Sequence, residues 1–291
     1  MVKTYGQLYL DARKALLGAE SADTASFIAR QLLCHVSGKS HQKLLEDREV
    51  YASESISHEL DALLSRALKG EPLAYLLGQW EFYGLTLNVD SRVLIPRDDT
   101  CAVTDLALKA AGTIEGKLRI LDLCTGSGCI GLALASRLLN SRVILGDISQ
   151  DALTVARKNA SDLGFSGRVT CLELDVRKKP TAFLGSFDLI VSNPPYITTE
   201  EMEQLPESVA AYEPHLALHG GDDGLSLYRS IIENYTTAIK PGGYLCLEFG
   251  LGQGDAICHL LQENGYSILE RSRDYNDRER AVLAQRNRKD D

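Results

Sequence analysis

The amino-acid sequence predicts an α/β fold: a doubly wound, mostly parallel sheet that ends in an antiparallel hairpin and is preceded by a small all-helical domain. Three observations predict it. From residue 96 onward, apolar runs at Leu118–Leu123, Arg142–Gly146, Arg168–Leu174, Phe187–Ser192 and Gly243–Phe249 alternate with helical segments. Continuous buried strands alternating with helices imply a parallel sheet covered on both faces. The first 75 residues carry helical periodicity only. The last stretch breaks the alternation, with strand patterns at 266–273 and 279–285 around the polar turn Tyr275-Asn276-Asp277, which marks an antiparallel hairpin.

Residues 1–75 form the helical domain. Ile28, Leu32 and Val36 recur at helical spacing with Ala29 and Leu33 beside them, between a candidate N-cap at Ser21 and a stop at Gly38. A second helix carries Ile56, Leu60, Leu63, Leu64 and Ala67 and ends at Gly70, with Pro72 just beyond. No His, Asp and Glu grouping at catalytic spacing falls here, so the domain is expected to pack, position or recognise. Between 76 and 95 the period changes: Leu85, Leu87 and Val89 alternate with Thr86 and Asn88, and Val93-Leu94-Ile95 follows Asp90-Ser91. That pattern predicts a β-hairpin linking the helical domain to residues 96–291. Within that last domain the segment Ser149–Leu163 reads as a helix, with Ala152, Val155, Ala156 and Leu163 on its apolar side.

Composition excludes several classes. The chain has 291 residues, 44% hydrophobic and 24% charged, which is enough to bury a core without disulfides or structural zinc. Forty Asp+Glu against 31 Lys+Arg give a net charge of −9, and no basic stripe of the kind that neutralises phosphates is evident. The basic runs Arg177-Lys178-Lys179 and Arg286–Lys289 read as a solvated loop and terminus. Seven cysteines without a CxxC pair or zinc-ligand spacing read as buried thiols in a reducing compartment. No signal-peptide h-region and no membrane-length apolar run is seen, so a cytoplasmic protein is expected, with no metal.

Two motifs carry chemistry. In Leu121-Asp122-Leu123-Cys124-Thr125-Gly126-Ser127-Gly128-Cys129-Ile130-Gly131, a strand ends in an acid and a glycine-rich turn opens a helix. Glycines admit close approach of a ligand to the backbone, and a helix N-terminus favours electron-rich groups. Gly126-x-Gly128-x-x-Gly131 also fits a dinucleotide fingerprint. An Asp four positions before the first glycine suits S-adenosylmethionine better, because that molecule offers an ammonium group and no pyrophosphate. Asp147, ending the second strand, is placed to accept from ribose hydroxyls. Asp175, ending the third, or its neighbours could reach an adenine amino group. The second motif is Asn193-Pro194-Pro195-Tyr196 at the end of the strand from Phe187. Its prolines stiffen the loop and remove backbone donors. The Asn193 side-chain oxygen and the Pro194 carbonyl could then accept both hydrogens of a planar NH2 group. Tyr196 supplies a flat apolar face.

With these residues in place, the chain resembles the bacterial release factor glutamine methyltransferases, class I S-adenosylmethionine-dependent enzymes. The resemblance runs through Glu71-Pro72-Leu73-Ala74-Tyr75, Leu94-Ile95-Pro96-Arg97, Asp122–Gly128, Asn193–Tyr196, Glu213-Pro214, Gly220-Gly221-x-Asp223-Gly224 and Pro241-Gly242-Gly243 with Glu248. It implies a seven-stranded class I methyltransferase sheet. It implies methylation of the side-chain amide nitrogen of the glutamine in a Gly-Gly-Gln loop of peptide chain release factors. Asn193, Pro194, Pro195 and Tyr196 would act on the substrate. Asp122, Cys124, Thr125, Gly126, Ser127, Gly128, Asp147, Asp175, Val176 and Asn193 would hold the cofactor. Release factors would be the partner, with no nucleic acid, no membrane and a monomeric enzyme. Residues 1–75 would serve substrate recognition. The family usually reads Arg-Pro-x-Thr-Glu where this chain has Arg97-Asp98-Asp99-Thr100-Cys101, so that segment is not carried over as site. Cys124 stands where glycine is common. Two alternatives stay open: methylation of a ribosomal-protein glutamine or of an exocyclic amine on a base, and a nicotinamide-dependent oxidoreductase using the glycine fingerprint.

Overall fold

The computed structural model describes residues 2–288; Lys289 of the basic tail lies outside them. The chain forms two compact units. One runs to Gly78 and also takes in Glu207–Tyr212, and the other comprises Gln79–Pro206 and the chain from Glu213 onward.

The first unit holds helices α1 (Tyr5–Leu16), α2 (Ala22–Ser37), α3 (His41–Glu46), α4 (Glu54–Ala67) and α5 (Leu73–Leu77). Four of the five starts are set locally. Thr4, Ser21, Ser40 and Ser53 each accept a backbone N–H of the first turn, which satisfies donors that a helix end otherwise leaves open. The apolar stripes meet in a core of their own that includes Leu8, Ala29, Leu32, Leu33 and Leu60. The Tyr212 hydroxyl donates to the Lys69 carbonyl at 2.8 Å. No periodicity in Glu207–Tyr212 announces that it packs with this unit.

The second unit begins with a hairpin of β1 (Gln79–Phe82) and β2 (Leu85–Asn88). Its turn residues Tyr83 and Gly84 both have positive φ, 53° and 77°, as a two-residue type I′ turn requires. Val93–Ile95, expected as the partner strand, is instead irregular. Asp90 is the reason: its Oδ1 accepts from the Arg92 backbone N–H at 3.0 Å and from Nε at 2.8 Å, a local turn that diverts the chain before a ladder can form.

Then follow α6 (Cys101–Ala111), β3 (Leu118–Leu123), α7 (Cys129–Arg137), β4 (Ser141–Asp147), α8 (Gln150–Asp162), β5 (Val169–Glu173), β6 (Phe187–Ser192), β7 (Ile239–Glu248), β8 (Tyr266–Arg273) and β9 (Glu279–Arg286), with helices Ser226–Tyr235 and Gly254–Glu263 flanking β7. The seven strands of the main sheet are ordered β5-β4-β3-β6-β7-β9-β8. The first five are parallel, and β9 inserts antiparallel between β7 and β8.

Side chains alternate between two cores. Leu118 and Ile120 of β3 join the layer under α6 and α7. Leu121 and Leu123 join the layer under the two later helices, with Tyr228, Ile231 and Ile257. Strand order reverses between β3 and β6, and such a reversal opens a crevice at the strands' carboxyl ends. Both sequence motifs lie there.

Of the seven free cysteines, only Cys246 is fully buried; the other six are half-buried, less enclosed than their apolar runs suggested.

Candidate active site

The glycine loop is held from below and from both sides. Asp122, one residue before the end of β3, is fully buried. Its Oδ2 accepts from the Thr125 hydroxyl at 2.6 Å and from the Gly131 N–H at 2.9 Å. Burial pushes this carboxyl up to about 7 against those bonds, and the nearby Asp147 charge adds to the rise. A Cβ at Gly131 would stand 3.0 Å from Asp122 Oδ2 and 2.2 Å from a Leu145 methyl, so only glycine lets the helix approach the strand this closely.

Asp147, the last residue of β4, binds two backbone donors at once. Its Oδ2 accepts from Gly126 N–H and its Oδ1 from Ser149 N–H, each at 2.9 Å. Burial raises its pKa, while these bonds oppose the rise. Asn159, buried on α8, donates to the carbonyls of Ser127 at 2.9 Å and Asn88 at 3.0 Å, tying the loop to the β1–β2 hairpin. Asp175 lies two residues past β5. Its carboxylate takes the Arg177 N–H at 3.1 Å and Nε at 2.8 Å on Oδ1, and Nη2 at 3.1 Å on Oδ2. The guanidinium holds that carboxyl below its ordinary range.

The β6 end brings Asn193-Pro194-Pro195-Tyr196 to the same edge. The Ser192 hydroxyl donates to the Leu123 carbonyl at 2.7 Å, fastening the ends of β6 and β3. Asn193 Nδ2 donates to the Thr100 hydroxyl at 3.3 Å. The Tyr196 carbonyl accepts from Gln253 Nε2 at 3.0 Å. Ile197 pairs with the segment at His219, its N–H donating to the Leu218 carbonyl at 3.0 Å. Burial pushes the Tyr196 phenol up to about 12, with the Glu248 charge adding to the rise and Arg280 opposing it.

A cavity of about 400 Å³ opens between the two loops. Of the residues expected from sequence, it gathers Cys124, Gly126, Asp147, Asp175, Val176, Asn193 and Pro195. Asp122, Thr125, Ser127, Gly128, Pro194 and Tyr196 are not in its wall. Asp122, expected to meet a ligand's ammonium group, lies beneath the loop, where Thr125 and Gly131 occupy Oδ2 while Oδ1 has no hydrogen-bond partner among the described residues. Gly128 caps α7, and the Ser127 carbonyl is taken by Asn159. The wall also includes Pro214 of the Glu213-Pro214 motif, and Arg92, Ser149, His219 and Leu227, which carry no motif of their own. Thr100 was set aside with its segment, although threonine at that place was the one unchanged polar side chain of the pattern after Arg97.

A family model described as a methyltransferase domain matches residues 114–285, and one described as the PrmC N-terminal domain matches residues 7–78. A release factor glutamine methyltransferase of Escherichia coli K12 is 38% identical over 93% of this chain and 96% of its own length. One from Haemophilus influenzae is 39% identical over 87% and 88%. The chain belongs to the release factor glutamine methyltransferase family. Within that family's wider circle, the chain spans 53% of the length of a bifunctional methyltransferase of Rickettsia felis, at 36% identity. A solved methyltransferase of Pyrococcus furiosus shares the fold at 16% identity, covering 77% of this chain and 97% of that one with a TM-score of 0.50. Among the described residues there is no group of three or more His, Cys, Asp or Glu side chains that could hold a metal ion, and no helix is long and apolar enough to cross a membrane.

Proposed function

We propose that the chain methylates the side-chain amide nitrogen of the glutamine in the Gly-Gly-Gln motif of peptide chain release factors, with S-adenosylmethionine as methyl donor. One observation carries the reading: in a chain of this family, the glycine loop after β3 and Asn193 after β6 face one cavity at the reversal of strand order. A cavity of about 400 Å³ is of the size that holds a small molecule. Its wall pairs the Asp147 and Asp175 carboxylates with the apolar Leu174, Val176 and Leu227, a set that fits an amphiphilic nucleoside. Asp147 and the backbone from Cys124 to Gly126 would hold the ribose and its substituent, and Asp175 and Val176 the base. When bound, S-adenosylmethionine supplies an electrophilic methyl group.

The chain's own task is to present the nucleophile. An amide nitrogen attacks poorly because its lone pair is delocalised into the carbonyl. In this reading Asn193 Oδ1 and the Pro194 carbonyl accept its two hydrogens, fix its position and favour a more tetrahedral nitrogen. Positioning of this kind is the main source of acceleration available to the site. Pro195 keeps the loop rigid, and Tyr196 packs beneath the site. The net charge of −9 supports a protein substrate over nucleic acid, and the reading places a monomeric enzyme in the cytoplasm.

The test is incubation with labelled S-adenosylmethionine and purified release factor, followed by mass-spectrometric mapping. A single added methyl on the Gly-Gly-Gln glutamine is expected. Label transferred only to ribosomal protein or to nucleic acid overturns the reading.

A further inference from the structure

Asparagine can accept from a substrate amide only while its oxygen faces the cavity. A half-turn about its last side-chain bond exchanges Oδ1 for Nδ2, so a neighbour must fix the choice. Thr100 is one neighbour, but a hydroxyl both donates and accepts and would tolerate either orientation. The other neighbour is Glu248, the last residue of β7. The register pairs Ser192 with Leu247, which sets Glu248 opposite Asn193 on the adjacent strand. Glu248 is only 2% exposed, and its backbone carbonyl is held by the Tyr228 hydroxyl at 2.8 Å. The Asn193 amide donates to the Thr100 hydroxyl at 3.3 Å, and the register leaves the Glu248 carboxyl beside that pair, where both side chains oppose the rise that burial gives its pKa.

We propose that Glu248 is a positioning residue: it takes the Asn193 NH2 as acceptor and so keeps Asn193 Oδ1 turned to the substrate amide. The proposal rests on the reading that Asn193 accepts from that amide.

Two further facts support it. The Arg280 guanidinium near Glu248 is already engaged by Asp99 and Asp274, at 2.9 Å each, so Glu248 is not placed there as the partner of an ion pair. Glu248 Oε2 has no hydrogen-bond partner among the described residues. Burial pushes the carboxyl up to about 8, and a proton on the partnerless Oε2 leaves the other oxygen free to accept. The acceptor role therefore holds in either charge state. A buried acid with an idle oxygen is a poor stabilising device, and its place beside Asn193 gives it an amide to orient.

The test uses full-length chain, S-adenosylmethionine and release factor. Glu248→Met keeps the volume and removes the acceptor. Because it also removes a buried ionisable group, it is expected to fold; Glu248→Leu is the second variant, read the same way. Expected for Glu248→Met is a kcat about tenfold lower, with S-adenosylhomocysteine affinity within twofold of wild type. Glu248→Gln, which retains an acceptor oxygen, is expected to restore kcat to within about threefold of wild type. In an Asn193→Ala background, Glu248→Met should cause no further loss. A kcat unchanged by Glu248→Met, a Gln variant as slow as the Met variant, or losses that multiply in the double variant would each overturn the proposal while leaving the function in place. A wild-type chain inactive on release factor overturns both.

Discussion

Asp147→Asn is the sharpest single test of how the cofactor loop is held. The aspartate presents two oxygens to two backbone donors, Gly126 N–H and Ser149 N–H, both at 2.9 Å. Asparagine matches the shape but has one oxygen, so its NH2 must be turned against one of those N–H groups. One backbone donor is then orphaned and one charge-assisted bond is lost, which costs about 1.5–3 kcal/mol. Removing a buried charge returns part of this, since burial already raises the Asp147 pKa. The net is therefore at the lower end, about 1.5 kcal/mol. If the Gly126 N–H is the one released, the loop loses its binding geometry, and S-adenosylhomocysteine affinity should fall roughly tenfold. Calorimetric titration of the variant with S-adenosylhomocysteine, beside its melting temperature, measures both effects. Affinity within twofold of wild type together with an unchanged melting temperature would refute the reasoning, because the two bonds would then be holding nothing.

Cys124 has a φ of 56°, a left-handed conformation that disfavours a side chain by about 1–2 kcal/mol. Cys124→Gly, after glycine's own entropy loss, should raise stability by up to about 1 kcal/mol, read as a higher melting temperature with unchanged S-adenosylhomocysteine affinity. Glu248 titrates near 4.5 when unfolded and at about 8 when folded. The folded state then binds the extra proton between those values, and stability should fall by a few kcal/mol as pH rises from about 4.5 through 8. Urea midpoints against pH should be flatter for Glu248→Gln, and parallel curves would refute the assignment. A chain starting at Gln79 keeps both apolar cores of the sheet unit and should still bind S-adenosylhomocysteine, while its kcat/KM on release factor falls at least about tenfold, the effect of losing some 1.4 kcal/mol of recognition. Full efficiency on release factor would confine the helical unit to a structural role.

The parallel sheet was legible because each strand is an apolar run bounded by its own turn residues, and the start of α2 because Ser21 caps within its own first turn. A hairpin within 76–95 was legible from the alternation of Leu85, Leu87 and Val89, but its partner strand was not: Gln79–Phe82 pairs with it in place of Val93–Ile95, and the feature that fixes the turn is the positive φ of Tyr83. Spacing located the strand-end acids but not the direction of their carboxylates. Asp122 turns under the loop to Thr125, Asp147 turns across to Gly126, and Asp175 folds back on Arg177. Each choice depends on which backbone N–H or guanidinium the tertiary fold brings near, and that partner is distant or unmarked in the chain. The roles of Thr100 and Glu248 stayed hidden for the same reason: they sit 93 residues before and 55 after Asn193, and only the tertiary fold joins them, Thr100 through the turn before α6 and Glu248 through the sheet register.

The segment Arg97–Cys101, which departs from the family pattern, gains a physical account from these neighbours. Arg97 pairs with the buried Glu213, whose other oxygen accepts the Ile95 N–H at 3.3 Å, so the segment is anchored at its start. Asp98 and Asp99 then form the first turn leading into α6, where negative charge is favoured by the helix dipole. Asp99 also pairs with Arg280. Asp98 replaces a proline that would preset φ, and the dipole supplies an alternative preference for the same start. Cys101 opens α6 amid acids: burial pushes its thiol up to about 11, with Asp105, Asp98, Glu248 and Asp99 adding to the rise. A glutamate at 101 would meet that same group of like charges in a half-buried place. With Asp98 present, a neutral side chain at 101 keeps a further negative charge away from Glu248. Glutamate at 101 would therefore add like charge beside Asp98, Asp99, Asp105 and Glu248.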